Sequence, residues 1–222
     1  MNLALAWSDA ATAAQLFAVD PVGTGVLLRS RAGPVRDRWL TMLRAALPPT
    51  DAHKHLPLHI AEGRLLGGLD LSATLITGRP VAERGLLAEA DGGVLVLAMA
   101  ERMPSSTTVH VTAAMDSHET LIERDGLSLR MPARFGVIAL DEGLEDEFAP
   151  LALRDRLAFH LDLDRFAFRD TEEFDISASD IETARARLPS IRATDEQIEA
   201  ICTAAAAMGI VSLRAQIGRA HV

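Results

Sequence analysis

The run Gly93-Val94-Leu95-Val96-Leu97-Ala98-Met99 constrains the fold of this 222-residue chain more than any other stretch. It is almost wholly apolar and follows a glycine, Gly92, that makes a pair with Gly93. A membrane-spanning helix needs roughly 20 apolar residues, so the run is too short to span a bilayer. A short apolar run of this kind is a strand covered on both faces, as in parallel sheets flanked by helices. In nucleotide-hydrolysing proteins of that architecture, such a strand ends in carboxylates that hold Mg²⁺ and polarise water. Ala98 and Met99 stand at those positions here. Neither a methyl nor a thioether can do that chemistry.

The first third of the chain has the same layout and the same loss. Residues 10–17 are alanine-rich and helical, Asp20-Pro21-Val22-Gly23 breaks the helix, and residues 26–28 form a short strand. A turn over residues 30–37 leads to a helix at 38–47, where Trp39, Leu40, Met42, Leu43 and Leu47 make an apolar stripe. Strand, turn and helix in that order carry the phosphate-cradling pattern G-x-x-x-x-G-K-[ST] in P-loop proteins. Laid over residues 30–37, the pattern meets Ser30 and Val35 in place of its glycines and Arg36 in place of the lysine. Asp37 replaces the Mg²⁺-binding hydroxyl and repels phosphate. Val35 denies the close backbone approach that glycine permits. On these letters alone the segment is an ordinary strand-to-helix turn.

Further along, residues 60–75 contain Gly67-Gly68 and then an amphipathic stretch, and residues 85–90 lead into the central strand. Residues 109–115 and 119–124 alternate apolar and polar positions. Asp125-Gly126 is a hairpin signal between 121–124 and 127–130. A second buried strand follows at 135–140, and a strand at 160–164 follows a segment carrying Arg154 and Arg156. Residues 177–188 and 195–208 are helices, capped by Ser177, Ser179 or Asp180 and by Thr194 or Asp195, with Gly209 closing the second. Strands and helices alternate first and helices alone come last, which predicts an α/β core with a helical appendage.

Several other features imply little chemistry. His53, His55 and His59 read as surface or turn histidines rather than a metal site. The acidic run 141–147 lacks an EF-hand pattern and reads as a solvated charge run. With 49% hydrophobic residues but no Tyr and 4% aromatics, the core must be built from Leu, Val, Ile and Ala. The single Cys202 excludes an intrachain disulfide and suits a reducing cytoplasm. Residues 1–140 carry 13 Lys and Arg against 14 Asp and Glu, whereas residues 141–222 carry 9 against 17. With no basic surplus in either part, nucleic acid is not an expected partner.

Taken as a set, RLLGGLDL (64–71), GRPVAERGLLAEADGGVLVLAMAERM (78–103), LIERDGLSLRMPARFGVIAL (121–140) and LRDRLAFHLDL (153–163) resemble the AAA+ module of magnesium chelatase. They are similar above all to its D subunit in photosynthetic proteobacteria. The resemblance covers essentially residues 3–216. It implies an AAA+ P-loop-type α/β core over 1–175, a parallel sheet flanked by helices with a β-hairpin insert. A partial helical lid would follow over 176–216. Residues 217–222 look like an adaptor-derived tail and are set aside.

In that family an active ATPase subunit (I) pairs with a D subunit whose nucleotide motifs have decayed, so the departures at Arg36, Asp37, Ala98 and Met99 are those of the D subunit. Asp141 falls near the polar sensor residue of an ATPase. The resemblance implies that Arg156 is an arginine finger acting in trans on ATP held by a neighbouring subunit. It makes Arg214 the sensor-2 arginine, and Gly33, Arg36 and Arg214 the remnants of a nucleotide site. It implies a subunit of a ligase forming nitrogen–metal bonds, with no ATPase activity of its own. ATP would lie at a subunit interface, and Mg²⁺ would be substrate of the complex, not an ion held by this chain. The partners would be the ATPase subunit in a ring and a large porphyrin-binding subunit, in the cytoplasm. Two other readings stay open: a MoxR-type remodelling ATPase, and a non-catalytic scaffold unrelated to chelatase.

Overall fold

The structure is a computed structural model that describes residues 6–50, 52–124, 127–174 and 176–210. The chain enters through α1 (Trp7–Val19) and a single turn, α2 (Pro21–Thr24), then passes along β1 (Val26–Arg29) into α3 (Pro34–Ala46). Next come β2 (Lys54–Leu56), α4 (Glu62–Leu66), β3 (Gly67–Leu69), α5 (Leu71–Thr77), β4 (Ala82–Arg84) and α6 (Leu86–Glu89), which lead to β5 (Val94–Leu97). Then follow α7 (Ser105–Ser117), β6 (Glu119–Arg124), β7 (Leu127–Pro132), β8 (Gly136–Asp141), α8 (Leu151–Arg154) and β9 (Phe159–Asp162). Two helices, α9 (Ala178–Arg187) and α10 (Asp195–Ala207), come last.

Five strands form one sheet in the order β2-β5-β8-β1-β9, and every pairing in it is parallel. Because side chains alternate along a strand, each strand feeds two cores. Val26, Leu28, Val94, Ile138, Leu140 and Leu161 face α1, α3 and α9. Leu27, Leu95, Leu97, Val137 and Ala139 face α6, α7 and α8 on the other side. This two-sided burial is why the strand run reads as continuous apolar sequence rather than as alternation. Leu28 and Leu95 are fully buried, each stabilising the fold by about 2 kcal/mol. Gly93 is needed where β5 begins, because a Cβ there would lie 2.2 Å from the Ala52 carbonyl oxygen.

The two tryptophans tie helices to their neighbours. Trp39 Nε1 donates to the Ala10 carbonyl at 2.8 Å, joining α3 to α1, and Trp7 Nε1 donates to the Glu172 carbonyl at 2.8 Å. Ile181 of α9 is buried in the same core, and the Arg185 guanidinium donates to the Ala18 carbonyl at the end of α1. In α10, Thr194 and Gln197 form a reciprocal capping box. Ile201 on that helix and Met208 just after it are exposed.

Two antiparallel pairs stand outside the main sheet. β6 and β7 form the anticipated hairpin, with Ile122 opposite Leu129, although its turn residues Asp125 and Gly126 lie outside the described residues. β3 and β4 form a second pair connected through α5, which the sequence did not announce. The alternation at 109–115 does not make a strand: these residues lie within α7. There Thr107, Thr108, Val111, Thr112 and Ala114 are buried at helical spacing. Thr108 and Thr112 satisfy their hydroxyls on carbonyls four residues back, so buried threonines hide the helical stripe.

Candidate nucleotide-site remnant and arginine corner

The connection after β1 forms the first part of the site. Pro34 at the first helical position starts α3 earlier than the apolar stripe suggests, so Val35, Arg36 and Asp37 belong to its first turn. Arg36 therefore stands at the helix entry, as a P-loop lysine would. Its Nη1 lies 2.5 Å from Glu142 Oε1 and 3.4 Å from the Ser30 carbonyl. The Arg36 and Glu142 side chains are 13% and 33% exposed. Arg36 Nε is buried without a hydrogen-bond partner. Glu142 follows β8 directly and is held in turn, its N–H donating to Glu101 Oε2 at 3.0 Å. Beside this pair an open cavity of about 330 Å³ is lined by residues 30–36 with Leu163, Asp164 and Phe166.

These residues do not fit a nucleoside triphosphate. A phosphate reaching Arg36 would have to displace the Glu142 carboxylate, and Asp37 adds a second negative charge to the same helical turn. Gly33 is no cradle, since its φ of 164° suits any residue and a Cβ there would meet nothing within 4 Å. At the end of β5, Ala98 and Met99 carry no oxygen for Mg²⁺. Met99 keeps a left-handed turn, with φ 48° and ψ 54°, which is uncommon for a residue with a side chain. Asp141, at the end of β8, is buried and uses both oxygens on backbone, accepting from Gly143 N–H at 2.9 Å and Ala149 N–H at 3.1 Å. It shapes the 142–149 loop rather than facing a ligand.

Arg156 lies elsewhere. β1 and β9 run parallel, with Val26 opposite Phe159 and Arg29 opposite Asp162. Arg156 precedes the start of β9, whereas Arg36 follows the end of β1, so the two arginines flank opposite ends of the sheet. Four residues of strand alone put roughly 10 Å between those ends. The Arg156 guanidinium grips Asp116 of α7 side-on, with Nε 3.0 Å from Oδ1 and Nη2 2.5 Å from Oδ2. Its Nη1 donates to the Ala152 carbonyl at 2.6 Å. The counter-ion of Arg156 is thus Asp116, 40 residues away in the chain, and not the nearby Asp162. Asp162 instead pairs with Arg165 at 3.0 Å. The structure thus brings Gly33 and Arg36 together and keeps Arg156 apart, and Arg214 lies outside the described residues.

Sequence reasoning missed Glu142, Asp116 and Glu101. Glu142 sat inside an acidic run that looked like a solvated face, and Asp116 is 40 residues from its partner. The one available signal was Arg36 itself, since a cation at a buried helix entry demands a counter-charge. Of the three histidines, His53 is structural: Val94 N–H donates to its Nδ1 at 3.1 Å, which leaves Nε2 to donate to the Pro48 carbonyl at 3.0 Å. His55 and His59 are exposed.

The parallel sheet, the strand-to-helix turn and the altered nucleotide positions define an AAA+-type module whose own hydrolytic residues have been replaced. The fold matches a chain in a cryo-EM-based structure of the complex between subunits BchI and BchD of magnesium chelatase, with a TM-score of 0.58 and 24% identity. That match covers 86% of this chain and 76% of the other. No protein-family model matches the sequence. The magnesium-chelatase 60 kDa subunit of Cereibacter sphaeroides is 40% identical over 211 residues, which is 94% of this chain and 34% of the relative. That of Rhodobacter capsulatus is 37% identical over 206 residues, 92% of this chain and 34% of the relative. The chain belongs to the family of these magnesium-chelatase 60 and 67 kDa subunits, the D subunits. It spans about a third of the length of the curated relatives it matches. The 38 kDa subunit of Cereibacter sphaeroides is also similar, at 34% identity over 132 residues, covering 60% of this chain and 37% of the relative.

Proposed function

We propose that this chain is the non-hydrolysing AAA+ part of a magnesium-chelatase D subunit. It assembles with the ATPase subunit in a ring and couples ATP hydrolysis there to insertion of Mg²⁺ into protoporphyrin IX, on the path to (bacterio)chlorophyll. Mg²⁺ is substrate of the complex, and the porphyrin chemistry belongs to a separate large subunit in the cytoplasm. Residues 1–175 make up the core unit, and α9 and α10 belong to a helical lid.

The observation that carries this reading is the closure of the chain's own phosphate position. Arg36 is neutralised by Glu142, Ala98 and Met99 stand where β5 would end in carboxylates, and the Glu101 carboxylate just beyond is engaged by the Glu142 N–H. What the chain can still offer is a guanidinium for another subunit's ATP. Arg156 cannot serve the Arg36 position, because it lies at the other end of the sheet. Set at an interface, it would stabilise charge on the transferring phosphoryl group of a neighbour. ATP is then held at the interface by the partner's residues. The family relationship and the match to a chelatase-subunit complex support the choice of partner.

Size exclusion of the full-length subunit with the ATPase subunit, run with and without ATP, tests the assembly. Co-elution should strengthen with ATP, because AAA+ interfaces form around bound nucleotide. Co-elution indifferent to nucleotide favours a plain scaffold.

A further inference from the structure

Asp116 is the penultimate residue of α7, which leads directly into the β6–β7 hairpin. Arg156 belongs to the turn between α8 and β9. No local rule of sequence joins them, and yet the carboxylate meets the guanidinium through two parallel contacts, a fork-on-fork pairing that restricts an arginine's orientation as well as its position. A guanidinium has five N–H donors. Asp116 takes the edge formed by Nε and Nη2, and the Ala152 carbonyl takes a hydrogen of Nη1. Donors on Nη1 and Nη2 remain beyond those three bonds. With the side chain 16% exposed, the head is held rather than free to sweep through solvent.

We propose that Asp116 is the positioning residue of Arg156. It holds the guanidinium in one plane so that its remaining Nη1 and Nη2 donors are presented outward to an anionic oxygen of a neighbouring subunit. The inference rests on the reading of Arg156 as a group acting in trans. Its physical basis is pre-organisation: a long, flexible side chain fixed before the anion arrives loses less freedom in binding it. Asp116 touches no phosphate itself. Because it closes α7, a displacement of that helix or of the hairpin after it would be felt directly at the Arg156 head.

The test is a double-mutant cycle in the full-length subunit, reconstituted with the ATPase and porphyrin-binding subunits. The variants are Asp116→Ala, Asp116→Asn, Asp116→Glu, Arg156→Ala and Asp116→Ala/Arg156→Ala, each read as kcat and ATP KM. Loss of orientation in a reacting constellation costs up to about 100-fold in rate. Asp116→Ala should lower kcat by about 10- to 100-fold with ATP KM little changed, and Arg156→Ala should lower it further. The double variant should match Arg156→Ala to within about twofold, since a residue acting through another adds nothing once that other is gone. Asp116→Glu, which keeps a carboxylate, should recover more activity than Asp116→Asn, which keeps the shape but puts a donor NH2 in place of one accepting oxygen. Far-UV circular dichroism and co-elution with the ATPase subunit check that each variant is folded and assembled. The isosteric Asn variant carries the test if the Ala variant fails that check.

If Arg156→Ala is crippled and Asp116→Asn is fully active, the positioning role is wrong while the trans-arginine reading stands. If the losses multiply in the double variant, Asp116 acts by another route and the proposal falls. If Arg156→Ala is fully active, both readings fall together.

Discussion

The two ends of the sheet hold arginines in superficially similar pairs, and the contrast between them is instructive. At the C-terminal end of β1, Arg36 meets Glu142 from the adjacent strand's exit, and its Nε is left buried and unpartnered. That pair occupies the place from which a phosphate would approach Arg36. Before β9, Arg156 is held by two hydrogen bonds to Asp116 at the end of α7 and one to the Ala152 carbonyl, which leave donors unused. The first arginine is consumed by the chain's own architecture, while the second is fixed in place with capacity to spare. The proposed role, in which ATP is hydrolysed only at a neighbour's site, calls for this asymmetry.

The largest expected effect breaks the second end. Arginine fingers are worth about 10³–10⁵ in rate in well-studied NTPases, and only those sites of a mixed ring that face this subunit depend on Arg156. Arg156→Ala in the full-length subunit should therefore cut chelatase turnover by about 100- to 1000-fold, with co-elution retained. Arg156→Lys should rescue poorly, because an ammonium lacks the planar fork. Normal turnover in either variant removes the functional difference between the two ends.

The next effect is one of stability and breaks the first end. Glu142→Ala leaves Arg36 largely buried without its counter-ion, at a cost of about 1–2 kcal/mol after allowing for partial solvent exposure. Urea unfolding should show a lower midpoint at unchanged slope, and adding Arg36→Met should restore most of the loss. A midpoint unmoved by Glu142→Ala would mean that the pair does not hold the two strand ends together.

Much of this arrangement was legible in the sequence, for physical reasons. Strands buried on both faces have to be apolar throughout, so 94–97 and 136–140 announced the parallel sheet. Asp-Gly between two apolar-patterned runs announced the β6–β7 hairpin. The replaced residues at 36, 37, 98 and 99 could be read individually, because each chemical role requires a particular side chain. The partners could not be read. Glu142 is 106 residues from Arg36, and Asp116 is 40 from Arg156. Nothing local distinguishes either carboxylate from a solvated one. α7 was obscured because its buried face is largely threonine. The family resemblance, carried by four segments, matched the curated relatives over most of the chain.

The smallest effect is a control that sharpens the comparison. Arg154, although only two residues from the finger candidate, is a poor control: its guanidinium carbon sits 5.3 Å from the Phe148 ring centroid and its Nε is buried. Arg169, with a side chain 87% exposed, is better placed. Arg169→Ala should alter stability by no more than about 0.5 kcal/mol and leave turnover unchanged. A large effect there would show that removing any arginine from this acidic part of the chain disturbs function, and Arg156 would lose its distinction.

The central claim is that the chain's own nucleotide position is silent. Steady-state phosphate release by the purified chain with saturating Mg²⁺ and ATP tests it most directly. The result expected is release equal to a protein-free blank, unchanged by Met99→Glu, because a restored carboxylate would still face no phosphate cradle. Sustained release that Arg36→Ala abolishes would contradict the account.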